Sequence, residues 1–132
     1  MPIEIQVMRE GHVILQIFTD KLTTQEVVDN VQRVNAILDD SKWLVHTITD
    51  TRAITKMPQG FLATGKNLLR DAHPMSGYNM IVSSNHFFST ITDLFIRLLP
   101  QYHIKICKTI EEAWAEIDRV LAVEALPESK TS

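Results

Sequence analysis

The chain of 132 residues contains a single cysteine, Cys107, so it cannot form an internal disulfide, and a lone thiol is typical of a reducing compartment. Its 13 lysines and arginines do not outnumber its 16 acidic residues. The basic surplus that favours nucleic acid or anionic membranes is therefore missing. No apolar run approaches the roughly 20 residues that span a bilayer. The acidic, alternating amino terminus is unlike a signal peptide. These absences predict a cytoplasmic protein with neither nucleic acid nor membrane as a partner.

The sequence also lacks a catalytic or metal-binding signature. Its five histidines are scattered, and only His46 and Asp50 share a strand face, without a third ligand to complete a metal site. His46 alternates with Val45 and Thr47, which is typical of a half-buried strand residue. Cys107 lies in an apolar strand with no activating base nearby, so it is expected to act as a small hydrophobic residue. We expect a protein that is not an enzyme and that holds no cofactor or metal.

One pattern that is present occurs twice: a run of β-forming residues followed by Thr-x-x-Glu and an amphipathic segment. The first copy, VILQIFTDKLTTQE, contains Thr23 and Glu26, and the second, IKICKTIEE, contains Thr109 and Glu112. Thr-x-x-Glu is the capping box, in which the two side chains bond reciprocally to backbone N–H groups at the start of a helix. Each copy predicts the passage from a strand to a helix, which indicates an α/β domain.

The remaining patterns give a complete order of elements. Strands are predicted over 3–7, 13–18, 43–49, 78–83 and 104–107, and helices over 24–38, 59–72, 84–99 and from 110 onward. The order is ββαβαβαβα, an amino-terminal β-hairpin followed by strands that alternate with helices. Such alternation predicts a mostly parallel sheet with helices packed against it. We expect one domain over residues 1–123 and a frayed tail over 124–132.

The element order, the segment HTITDTRAITKMPQG and the ending IKICKTIEEAWAEI resemble the STAS superfamily, the anti-sigma-factor-antagonist-like domains. The resemblance is greatest to small stand-alone members of unassigned function, and it covers residues 2–122. It implies a STAS-like fold and a regulatory role. Switch-type members open their second helix with an Asp-Ser pair whose Ser is phosphorylated. Pro58 and Gln59 occupy those positions here, and neither can carry a phosphate. Thr51 and Thr55 lie nearby, but the motif does not select them.

Polar residues follow the predicted strands at the edge where ligands bind in open parallel sheets. They are Asp20, Asp50, Thr51, Arg52, Ser83, Ser84, Asn85, Lys108 and Thr109. A carboxylate, a hydroxyl and a lysine on successive strands resemble a phospho-receiver site, with Asp50 as the acceptor. A receiver also needs acidic residues after its first strand, where only Asp20 is available. The favoured role of Asp50 is an Asx bond that caps the next turn. Ser84 and Asn85 fit ordinary helix capping, or alternatively an anion site.

The helix predicted over 84–99 is apolar on more than one face. One stripe is wide enough to dock it on the sheet: Phe87, Ile91, Leu94 and Leu98. Phe88, Phe95 and Leu99 form a second stripe that is rotated from the first. A helix that is apolar on two faces is deeply buried or covered by something else. The second stripe is therefore a candidate dimer interface, a candidate pocket wall, or a contact with neighbouring helices.

These observations favour a non-enzymatic regulatory or scaffold module that acts through protein–protein contacts. Its expected partner is a second copy in a homodimer or another regulatory protein. The alternative is a domain that binds a small apolar ligand or an anion, with a candidate site at Asp50, Thr51, Arg52, Ser84 and Asn85. A phospho-receiver that uses Asp50 is the least favoured reading.

Overall fold

The computed structural model describes residues 3–55, 60, 63, 73–83, 90, 93, 96–97 and 103–125. The strands β1 (Ile3–Met8), β2 (Val13–Phe18), β3 (Val45–Asp50), β4 (Ser76–Val82) and β5 (His103–Cys107) form one sheet in chain order. The helices α1 (Thr24–Asp39) and α2 (Ile110–Glu124) follow β2 and β5. β1 pairs with β2 antiparallel, and β2 to β5 pair in parallel. The predicted α/β fold with an amino-terminal hairpin is confirmed.

The strand boundaries differ from the prediction by one or two residues. β3 begins at Val45 rather than Trp43, because the Ser41 hydroxyl donates to the Trp43 carbonyl (2.6 Å) and holds that segment in a turn. β4 begins two residues earlier than predicted, at Ser76. The backbone is helical at Ala63 and Thr90, which agrees with the helices predicted over 59–72 and 84–99.

The two predicted capping boxes form to different extents. At α1 the box is complete: the Glu26 N–H donates to Thr23 Oγ1 (3.2 Å) and the Thr23 N–H donates to the Glu26 carboxylate (2.9 Å). At α2 the Glu112 N–H donates to Thr109 Oγ1 (3.0 Å), but the Glu112 carboxylate accepts from the Lys108 N–H (3.1 Å) instead of that of Thr109. Both threonines therefore cap their helices as predicted, and the second box is displaced by one residue.

The described helices pack on opposite faces of the sheet. Leu38 of α1 packs with Ile14 and Val45 on one face. On the other face, α2 covers the larger core, which consists of Val13, Leu15, Ile48, Met80, Val82, Cys107, Ala113 and Ile117. Side chains alternate between faces along a strand, and the parallel register pairs Val13 with His46 and Ile17 with Asp50. His46 and Asp50 therefore lie on the α2 face, at opposite ends of β3.

The hairpin turn contains residues with left-handed backbone angles, and its Arg9 side chain bonds to α2. Arg9 and Glu10 have φ of 52° and 58°, a conformation that costs about 1–2 kcal/mol for each non-glycine residue. The Arg9 guanidinium donates to the Asp118 carboxylate at 3.1 and 3.3 Å and lies 4.4 Å from the ring centroid of Trp114. These contacts with α2 offset part of the backbone cost and hold the hairpin against the carboxyl-terminal helix.

Candidate functional site

Asp50, the candidate acceptor at the carboxyl end of β3, is engaged by its neighbour Arg52. Arg52 Nε donates to Asp50 Oδ1 at 2.9 Å and Nη2 donates to Oδ2 at 2.8 Å. The Arg52 backbone N–H also donates to Oδ1 at 3.1 Å, which is the predicted Asx turn. The guanidinium holds the pKa of Asp50 below its ordinary value, and the carboxylate raises the pKa of Arg52. Both carboxylate oxygens of Asp50 are thus used within the turn.

The other polar residues after β2 and β3 also bond among themselves. The Thr51 side chain is buried, and its hydroxyl donates to the Val82 carbonyl of β4 at 2.7 Å. Thr55 donates to Asp20 Oδ1 through both its N–H (2.9 Å) and its hydroxyl (2.7 Å). Thr51 is therefore a structural residue that joins β3 to β4, and Asp20 shapes the loop that follows β3.

The structure brings part of the predicted strand-end site together. Ser83 is buried beside the end of β5, where its N–H donates to the Cys107 carbonyl at 3.0 Å. The strand order β3-β4-β5 thus aligns Asp50, Ser83 and Lys108 along one edge of the sheet. A cavity of about 360 Å³ opens there beside Asp50 and Arg52. Ser84, Asn85, Phe88, Phe95 and Leu99 lie outside the described residues, so their proposed roles stay predictions.

The opposite end of the sheet holds a buried polar pair that the sequence analysis missed. The imidazole of His46 is fully buried, and its Nε2 lies 2.9 and 3.0 Å from the two carboxylate oxygens of Glu124, the last residue of α2. His46 Nδ1 accepts the Tyr78 backbone N–H at 2.9 Å. Because Nδ1 is an acceptor, the neutral ring carries its hydrogen on Nε2. This N–H donates a hydrogen bond to the Glu124 carboxylate. His46 is thus a core residue that ties the end of α2 to the sheet, rather than the half-buried residue we predicted.

The sheet is irregular at the point where His46 enters it. The register of β3 and β4 pairs Val45 with Ser76 but Thr47 with Asn79, so Gly77 and Tyr78 together oppose His46. This extra residue is a bulge, which turns the Tyr78 N–H toward the imidazole. A Cβ atom on Gly77 would lie 2.4 Å from His46 Nδ1, so only glycine leaves room for the ring. The bulge, the glycine and the buried histidine form one unit.

A groove of about 700 Å³ lies next to this unit, between the carboxyl-terminal half of α2 and the amino ends of β4 and β5. Its apolar lining includes Met80, Val120 and Val123, and Tyr78 and His103 contribute rings whose centroids are 5.3 Å apart. Two features of the sequence could have indicated the buried pair at this end of the sheet. An acidic residue at a helix carboxyl terminus opposes the helix dipole unless it has a partner, and Gly77 interrupts a strand.

Other chemistry is sparse in the part of the chain that the structure describes. Burial raises the pKa of the Cys107 thiol, which is fully buried and keeps its proton, in line with the predicted hydrophobic role. Within the described ranges, no three His, Cys, Asp or Glu side chains are grouped closely enough to hold a metal ion. No helix among the described residues has the length and apolar character needed to cross a membrane.

Comparisons with known proteins bear on the fold. The sequence matches no protein-family model and no curated protein. The structure is similar to the crystal structure of an uncharacterized protein of the DUF3478 family from Shewanella loihica PV-4, which has a SpoIIAA-like fold. The TM-score is 0.65 at 12% sequence identity, and the match covers 86% of this chain and 90% of the other. The chain therefore has the SpoIIAA-like fold, which is the fold of the STAS superfamily that its sequence resembles.

Proposed function

We propose that this chain is a cytoplasmic, non-enzymatic regulatory module that acts through protein–protein contacts as a homodimer. The observation that carries the proposal is the ion pair at the carboxyl end of β3, where Arg52 occupies both oxygens of Asp50. Open parallel sheets place ligands and reactive groups at this edge. A carboxylate that is already bonded on both oxygens is a poor phosphoryl acceptor. The STAS-like fold is consistent with a regulatory module.

Labelling with acetyl phosphate tests directly whether Asp50 accepts a phosphoryl group. The protein is incubated with radiolabelled acetyl phosphate and Mg²⁺, beside Asp50→Asn and Arg52→Gln variants. We expect no incorporation into any of the three proteins. Labelling of the wild type that disappears in Asp50→Asn would contradict the proposal and favour a phospho-receiver.

The proposed self-association surface is the second apolar stripe of the helix predicted over 84–99. The test is the solution mass of the wild type and of Phe88→Glu/Phe95→Glu, measured by light scattering after gel filtration. We expect a wild-type dimer and a folded monomeric variant. The control is Val7→Glu, which places one glutamate on an exposed apolar residue of β1 and should leave the dimer intact. A monomeric wild type would refute the homodimer.

A second candidate function is the binding of a small ligand, and the groove beside α2 favours it. Small-molecule sites are concave, mostly apolar and about 300–1,000 Å³ in volume, with a few polar groups that orient the ligand. The groove of about 700 Å³ falls within that range and combines apolar, aromatic and charged side chains. Titration with a metabolite set, monitored by thermal unfolding, tests this function without reference to the oligomeric state.

A further inference from the structure

We propose that the groove between α2 and the amino ends of β4 and β5 binds a small planar aromatic molecule that carries an acidic group. The inference rests on the second candidate function above, and it names the site and the class of ligand. The site differs from the strand-end site predicted from the sequence. It lies at the amino ends of the parallel strands, whereas the predicted site lies at their carboxyl ends. Its lining residues come from the segment before β3, from β4 and β5, and from α2.

Exposed apolar side chains converge on this groove. The described residues expose five large hydrophobic side chains, and three of these line this one groove: Leu44, Tyr78 and Val123. Their exposures are 44, 42 and 60%. Single exposed hydrophobic residues are normal on a protein surface, but several around one concavity indicate a binding site. Met80 and Val120 close the floor, and both are buried.

The aromatic side chains of the groove favour a flat ligand. The rings of Tyr78 and His103 line the groove side by side, inclined at 45° to each other. Aromatic rings prefer offset-stacked or edge-to-face contacts with other planar groups, and both geometries are available against such a pair. A flat ring gains more contact against this wall than a flexible chain does, and it loses less conformational entropy when it binds.

The charged side chains of the groove are grouped around Glu116. Lys105 Nζ lies 3.1 Å from one carboxylate oxygen of Glu116, and Arg119 Nη2 lies 2.6 Å from the other, so two cations share one anion. The two cations hold the pKa of Glu116 below its ordinary value. Glu124, the other acidic residue of the lining, is turned to His46. The two cations and two carboxylates of the lining sum to zero, but at the Lys105–Arg119 end two cations face the single carboxylate of Glu116, which favours an acidic substituent there over a basic one.

The bond between His46 and Glu124 keeps the groove open in advance of binding. Val123 and Glu124 form its wall at the end of α2, and the buried imidazole holds that end at a set distance from Tyr78. A wall that is already in position does not have to be ordered by the ligand, which improves affinity.

The probe for the experiment is naphthalene-2-sulfonate, a planar aromatic anion, with naphthalene as its uncharged analogue. Binding is followed by probe fluorescence and by the ¹H–¹⁵N amide spectrum of the full chain. We expect the anion to bind at one site per chain, to shift the amides of Tyr78, His103 and Val120, and to leave the dispersion of the spectrum intact. The uncharged analogue should bind about tenfold more weakly, because it forgoes one charge-assisted hydrogen bond.

Two variants and one matched control locate the site. Arg119→Gln should weaken the anion about tenfold and leave the analogue unchanged, whereas Tyr78→Ala should weaken both probes. Arg33→Gln removes the same charge from an exposed residue of α1 and should leave both affinities unchanged. Equal binding of the two probes, with no effect of Arg119→Gln, would overturn the assignment of an acidic ligand.

Two further outcomes would overturn the site itself. One is probe binding that shifts amides away from the groove. The other is a dependence of the groove amides on protein concentration in the absence of probe that persists in Phe88→Glu/Phe95→Glu, which would assign the groove to a second copy. The regulatory proposal is tested separately by the variants Phe88→Glu/Phe95→Glu, so failure of one proposal is distinguishable from failure of the other.

Discussion

Each end of β3 carries an acid–base pair, and the two pairs differ in their burial and in the distance between the partners along the chain. At the carboxyl end, Asp50 bonds to Arg52, two residues along the chain, and the guanidinium is 44% exposed. At the amino end, the fully buried His46 bonds to Glu124, 78 residues away. The first pair completes a local turn, whereas the second joins a helix to the sheet. Polar residues at the carboxyl ends of the strands, where ligands usually bind, can therefore be structural, while the larger groove lies at the amino ends.

The largest expected effect in this comparison is at His46. His46→Ala removes a fully buried ring, leaves the Tyr78 N–H without its acceptor and releases Glu124. We expect a loss of about 3 kcal/mol in the free energy of unfolding, measured by urea denaturation. Arg52→Ala at the other end should cost about 1 kcal/mol or less, because that pair is partly exposed. Equal losses at the two ends would remove the distinction between them.

The next effect tests the close contact between Gly77 and His46. Gly77→Ala forces a methyl group against the imidazole and should destabilise the protein by about 1–3 kcal/mol. In a His46→Ala background the same substitution should cost much less, because the ring is gone. Urea denaturation of the two single variants and the double variant gives the coupling energy directly. Additive losses would mean that the glycine is needed for another reason.

A smaller effect is expected in the acid dependence of stability at Asp50. Its pKa is lower in the folded protein than in the unfolded chain, so the unfolded state binds more protons. The ion pair therefore stabilises the fold fully above about pH 4, and this contribution is lost as the pH falls through the folded pKa. Asp50→Asn keeps the acceptor of the Asx turn but removes the charge, and Arg52→Gln removes the partner. Urea denaturation between pH 7 and 2 should show a shallower acid loss in both variants than in the wild type; an unchanged slope would contradict this account.

The smallest expected effect is that of Glu124→Gln, at the amino end of the strands, on the reactivity of the thiol at the carboxyl end of β5. Burial raises the pKa of Cys107, so its reaction with an aromatic disulfide reagent should be slow in the folded protein and complete in urea. Glu124→Gln weakens the bond at the amino end and should leave this rate unchanged. An acceleration as large as that caused by unfolding would show that the two ends open together.

The features that the sequence predicts correctly depend on residues that lie close together in the chain. Thr23 and Glu26 are three residues apart, and Asp50 and Arg52 are two apart, so local composition was enough to predict the cap and the Asx turn. The predicted strand over 43–49 includes Trp43, but the Ser41 hydroxyl holds that residue in a turn. His46 was expected to be half-buried because its true partner, at the end of α2, is not evident from its neighbours in the chain.

By itself, the amino-acid sequence determined the alternation of strands and helices, the hairpin, the caps and the turn after β3. Each of these depends on residues within a few positions of one another, where periodicity and side-chain-to-backbone bonds dominate. Only the tertiary structure decided that His46 would meet Glu124, that Gly77 would have to be a glycine, and that a groove would open beside Tyr78. Those features arise where α2 packs across β3 and β4, and such packing depends on residues that are far apart in the chain.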